Sequence, residues 1–107
     1  MDTGSTLQSL IEVPKDHPAF AGHFPRFPVL PGAVLLDGVL HAIEKQRGID
    51  LMQWRITSAK FLSLVRPGDS LRLQHEISKG GSIRFSLSAG NRPVASGSLS
   101  NAAVDSP

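Results

Sequence analysis

The sequence predicts an α+β fold, a curved antiparallel sheet wrapped round one long central helix. Three observations carry this. Residues 33–47 form one helix-length passage holding Val34, Leu35, Leu36, Val39, Leu40 and Ile43, an apolar surface wide enough for a nearly buried helix. Four β-rich stretches follow it, separated by turn residues. One helix cannot cover both faces of such a sheet, so it lies across one of them.

Each element has its own warrant. Thr6 to Val13 reads as a strand in imperfect alternation, with Leu7 and Ile11 on different sides, ended by Pro14. Lys15 to Pro31 carries Pro18, Pro25, Pro28 and Pro31. Each fixes a backbone angle and biases the preceding residue toward extended forms, so this is a pre-shaped loop. Pro31-Gly32 opens a helix from Ala33 to Arg47, with Asp37, His41, Glu44 and Lys45 on one side. Gly48 is its stop, and Lys45 and Arg47 suit the negative end of the helix dipole.

Met52 to Val65 is a long strand, and Arg66-Pro67-Gly68-Asp69 a turn. Ser70 to Ile77 alternates, Lys79-Gly80-Gly81-Ser82 is a hairpin signal, and Ile83, Phe85 and Leu87 alternate again. Gly90-Asn91-Arg92 turns the chain into a last strand, Pro93 to Leu99. A single domain over residues 1–107 is expected, with residues 1–5 and the tail from Asn101 disordered.

Composition excludes several classes. There are no cysteines, hence no disulfide, thiolate metal site or Cys nucleophile. Eleven Lys and Arg against nine Asp and Glu give a net charge of +2, a mild excess that argues no nucleic-acid partner. No basic segment followed by an apolar run opens the chain, and no apolar stretch is long enough to span a bilayer. A cytoplasmic protein without a membrane partner is the expectation.

The stretch GHFPRFPVLPGAVLLDGVLHAI, Gly22 to Ile43, sets two histidines and an aspartate in a rigid, apolar passage. His23-Phe24-Pro25, Pro28-Val29, Pro31-Gly32 and an acid fourteen residues after His23 resemble the hot-dog-fold 3-hydroxyacyl-[acyl-carrier-protein] dehydratases of bacterial fatty acid synthesis. Lys60-Phe61, Val65, Pro67-Gly68-Asp69 and Leu71 match a second block of that family. The short length and the His17-Pro18-Ala19-Phe20 lead-in are similar to the small dehydratases of aryl-polyene and polyketide-like pathways. The chain departs from the pattern at Arg26, where glycine is usual, at His41, where glutamine is usual, and at Leu62 and Ser63, often arginine.

The resemblance implies a reaction and its groups. Dehydrating a 3-hydroxyacyl thioester takes a proton from C2 and expels the C3 oxygen. Histidine is the natural base near neutral pH, which gives that role to His23. An acid must protonate the departing oxygen, and a carboxyl among Leu35, Leu36, Val39 and Leu40 holds its proton because burial disfavours charge, which suits Asp37 as acid or water-positioner. The thioester oxygen needs donors, and a helix N-terminus offers unpaired N–H groups, here Gly32. Phe24, Arg26, Ala33 and His41 complete the substrate-binding candidates. His41 stands one turn from Asp37, where it pairs with it, orients water or contributes to a metal site; two ligands are too few, and no metal is expected.

No cofactor is expected beyond the phosphopantetheine of an acyl carrier protein or CoA that carries the substrate. The implied assembly is a homodimer or larger, with His23 and the acid meeting across subunits. Arg26, Lys60 and Arg66 are the candidate carrier contacts. Two other functions fit the residues less well: a hot-dog thioesterase acting on the same thioester, and a non-catalytic carrier-binding partner in a hetero-oligomer. His17 and His75 read as structural or exposed, Trp54 as core, and Gly80-Gly81 as a turn with no phosphate-binding helix after it.

Overall fold

A computed structural model describes residues 6–17 and 30–101. Five strands and one helix follow in order: β1 (Leu7–Glu12), α1 (Gly32–Arg47), β2 (Trp54–Phe61), β3 (Ser70–Ile77), β4 (Ile83–Ala89) and β5 (Arg92–Asn101). The strands form one antiparallel sheet in the order β1-β3-β4-β5-β2. β1 and β2 are therefore the two edges, although among the described residues α1 is the one element between them in sequence.

The helix starts where proline sets it. Pro31 is extended, with φ −60° and ψ 145°, and its carbonyl accepts the Leu35 N–H at 3.0 Å. Gly48 ends it at φ 67°, a left-handed conformation that costs glycine little, with its N–H on the Glu44 carbonyl at 2.8 Å. Leu35, Val39 and Ile43, spaced four apart, are the buried stripe. That is narrower than a nearly buried helix. Leu36, Leu40 and Ala42 pack against the core only in part, and Asp37 and His41 are exposed.

The sheet's inner face is read from its register. Leu73 faces Leu87, Ile77 faces Ile83, and Ile83 faces Leu99, all on the side that α1 covers. With Val65, Leu71 and Val94 these make the core. In β1 the alternation is regular, so Leu7 and Ile11 share one half-buried face and Leu10 points out. They are not on different sides, because residues four apart in a strand always share a face.

Gly97 lies opposite Phe85, and a Cβ there would meet the Ser58 carbonyl at 2.5 Å and the Phe85 ring at 2.7 Å. The ring therefore lies over bare backbone. Beyond it, β2 runs shorter than the sequence suggested: Leu51 to Gln53 form a turn, and Leu62 to Val65 leave the ladder. β5 extends through Asn101, which pairs with Trp54. Trp54 itself is half-buried against the core. The turn at Arg66–Asp69 continues the β1 edge, since Gly68 N–H donates to the Val13 carbonyl at 2.8 Å and Val13 N–H to the Asp69 carbonyl at 2.9 Å. No helix among the described residues is long and apolar enough to cross a membrane.

Candidate active site

The exposed side of α1 carries the acid. Asp37, His41 and Glu44 succeed one another at four and three residues, so they line one stripe. With Leu40, Leu51 and Met52 they line a cavity of about 260 Å³. Glu44 is committed to the scaffold: its Oε2 accepts the Leu51 N–H at 2.8 Å and so fixes the turn after the helix. Leu40 and Leu51 supply the apolar floor, and Met52, 82% exposed, the rim. The burial expected around Asp37 is not supplied among the described residues: Leu35, Leu36 and Val39 turn to the core, and of the expected neighbours only Leu40 lines the cavity with it.

The helix N-terminus opens on a different cavity, of about 200 Å³, lined by Leu30, Gly32, Leu35, Phe61, Ser63, Leu64 and Val65. The first N–H groups of a helix have no carbonyl within it, so donors are available there. A Cβ on Gly32 would lie 3.2–3.4 Å from the Phe61 ring. The close approach that glycine permits is thus Phe61 packing on the helix start. Ala33, in the first turn, is exposed and lines neither cavity.

His23, Phe24 and Arg26 lie outside the described residues, as do residues 1–5. The structure brings Asp37 and His41 together and sets Gly32 apart from them on α1. Lys60 borders a groove with Arg84 and Ser98, away from both cavities, whereas Arg66 lies beside Ser63 and Leu64 in another. Sequence reasoning missed Phe61, Ser63 and Leu64 as neighbours of Gly32. No local signal marked them, since the apolar run Phe61 to Val65 reads as a continuation of the strand.

His75 is the buried titratable group, at 1% exposure. Its Nδ1 accepts the Arg47 Nε–H at 2.9 Å, so the ring proton sits on Nε2, which donates to Gln46 Oε1 at 2.8 Å. Arg47 Nη2 also donates to the His75 carbonyl at 3.0 Å, and Gln46 Nε2 to the Gln8 carbonyl at 2.8 Å. The last turn of α1 is thereby fastened to β1 and β3. Burial first, and the Arg47 charge second, push the His75 pKa down to about 4. His75 is a structural residue, remote from both cavities.

Among the described residues, one helix and a five-stranded antiparallel sheet make the hot-dog fold, and the comparisons place the chain in its acyl-thioester dehydratase class. The chain belongs to the ApeI-like dehydratase family, whose family model matches residues 1–98. It is 37% identical over 103 residues to the 3-hydroxyacyl-[acyl-carrier-protein] dehydratase FabZ of Chlamydia caviae, covering 84% of this chain and 67% of that one. A crystal structure of a protein from Erwinia carotovora subsp. atroseptica superposes with a TM-score of 0.74 at 31% identity, over 94% of this chain and 85% of that one. The dehydratase heterocomplex ApeI:P from Xenorhabdus doucetiae shares the fold, with a TM-score of 0.73 at 23% identity over 89% of this chain and 85% of that one.

Proposed function

We infer that this protein removes water from a 3-hydroxyacyl thioester to give the trans-2-enoyl thioester, in fatty acid or polyene-type biosynthesis. Membership of a dehydratase family, with His23 and Asp37 at that family's spacing, is the observation that carries the reading. His23 takes the C2 proton. The electron pair left behind forms the C2–C3 double bond as the C3 oxygen departs with a proton from Asp37, leaving as water. Developing charge on the thioester oxygen is met by the N–H groups at the start of α1.

Asp37 is exposed, whereas a positioned catalytic group works best in a site closed to water, so the acid role calls for a cover over it. A second copy supplies one. β2 is an edge strand, and Ile56, Phe61, Leu62 and Leu64 on and after it are 42–59% exposed. An edge with apolar side chains invites pairing with another chain. A homodimer joined there would supply that cover, in keeping with the family resemblance, which has the histidine and the acid meet across subunits. The substrate then arrives on phosphopantetheine, borne by an acyl carrier protein or CoA.

The test is mass spectrometry of a carrier protein loaded with a 3-hydroxyacyl chain. Loss of one water with the wild type, absent with His23→Ala and Asp37→Asn, is expected. Release of the whole chain would make the protein a thioesterase. An unchanged chain at several chain lengths, despite carrier binding, would leave a non-catalytic carrier-binding partner.

A further inference from the structure

The thioester cavity beside Gly32 has a cationic neighbour. Ser63, Leu64, Arg66, Asp69 and Arg92 line a second cavity of about 520 Å³. Ser63 and Leu64 line both, so the two spaces meet along one wall. Of the charged side chains in the second, two are arginines and one is an aspartate.

Arg92 reaches this place from the far turn of the sheet and is held there. Its Nη1 donates to the Leu64 carbonyl at 2.7 Å and to Ser63 Oγ at 3.1 Å, and its Nη2 lies 3.3 Å from Asp69 Oδ2. Three of the five guanidinium N–H groups are engaged, which leaves two for a ligand. Asp69 is spent on the fold as well, since the same oxygen accepts the Arg66 N–H at 2.9 Å. Arg66 makes no side-chain bond among the described residues and is exposed. Lys15 adds a third cation nearby: its Cε lies 3.3 Å from where a Cβ on Gly68 would stand.

Fixed, forked donors beside an exposed cation match a phosphate better than a lone carboxylate, because tetrahedrally arranged oxygens can meet donors from outside one plane, as a planar carboxylate cannot. Reach allows it as well: five residues from Phe61, on the helix start, to Arg66 span at most about 18 Å, so the two spaces lie within the length of an extended pantetheine arm. We propose that Arg66 and Arg92 form the subsite for the phosphate of the phosphopantetheine arm whose thioester end lies at Gly32. This rests on the thioester reading above.

The test compares two substrates that differ by one group, a 3-hydroxyacyl thioester of 4′-phosphopantetheine and the same thioester of pantetheine. The wild type is expected to show a KM roughly tenfold lower for the phosphorylated form, the effect of one charge-assisted contact. Arg66→Ala and Arg92→Ala should each bring the ratio of the two KM values toward one. Arg92→Ala also loosens residues 63–64 and shifts both KM values, but their ratio still reports the phosphate.

A wild-type ratio near one, or a ratio kept in both variants, would overturn the assignment. CoA and carrier-bound thioesters should both lose with each variant. Loss confined to the carrier-bound form would make the arginines a protein contact instead of a phosphate site. If the wild type dehydrates neither thioester, the dehydratase reading fails on its own. Calorimetric titration with 4′-phosphopantetheine and with pantetheine then decides the subsite by the same ratio.

Discussion

Acid should loosen the end of α1, and the size of the effect follows from His75. The folded pKa is pushed down to about 4, while an unfolded chain leaves histidine near 6.5. Between those values the unfolded state binds the proton and the folded state does not. The stabilisation is therefore complete above about pH 6.5, falls as pH drops toward 4, and is gone below it. At 1.36 kcal/mol per pKa unit the full difference is about 3 kcal/mol. An imidazolium would repel the Arg47 guanidinium, which is half-exposed and can swing into water, so a loss of about 1–3 kcal/mol is expected.

Urea unfolding at pH 7, 5.5 and 4 measures it, with His75→Gln as the reference, since a glutamine oxygen can still accept from Arg47 without titrating. Asp and Glu residues titrate in both proteins and cancel. The wild type should lose about 1–3 kcal/mol more than the variant between pH 7 and 4. Parallel curves would refute the reasoning, as would an imidazole resonance of His75 that titrates at an ordinary histidine pKa.

Three other substitutions test the packing. Gly97→Ala drives a Cβ into the Phe85 ring and the Ser58 carbonyl and should destabilise by about 1–3 kcal/mol or more in chemical unfolding. Ile43→Ala empties the deepest part of the helix stripe and should lower stability by about 2–5 kcal/mol on the same measurement. Gly48→Ala meets no atom within 4 Å, so its effect is that of left-handed backbone alone, a fall of about 1 kcal/mol in the thermal or urea transition.

Much of the fold was legible because local chemistry fixes it. Gly48 and Pro31 bracket α1, β3 spans Ser70 to Ile77 as its alternation says, and Gly81 at φ 89° turns the next hairpin. Apart from the facing of Leu7 and Ile11, which strand geometry alone decides, the errors share a cause in long-range packing. Leu62 to Val65 look like strand because they are apolar, yet Leu62 N–H turns to the Val94 carbonyl and Leu30 N–H to the Val65 carbonyl, outside any ladder. The apolar width of α1 signals burial, but hydrophobicity does not say whether a helix is covered by its own sheet or by another chain.

The site divides the same way. Asp37, His41 and Glu44 are neighbours by helical spacing and were readable. Arg92 meeting Leu64, 28 residues away, was not. Nor was the fastening of His75 by Gln46 and Arg47, which depends on how α1 crosses β1 and β3.

The strand order also governs how the chain can be made. β3, β4 and β5 are joined by short turns and can pair as they leave the ribosome. Among the described residues β2 pairs with β5 alone, through contacts such as Thr57 with Ser98, 41 residues later in the chain. Loop closure of that length is slow relative to hairpin formation. Until Ala95 and Leu99 have emerged, Phe61 and Ile56 have no ladder to join, and a nascent chain stalled before Ala95 presents them to whatever is near. Trimming the last strand would accordingly free β2 as well and leave β1, β3 and β4 as a three-stranded remnant.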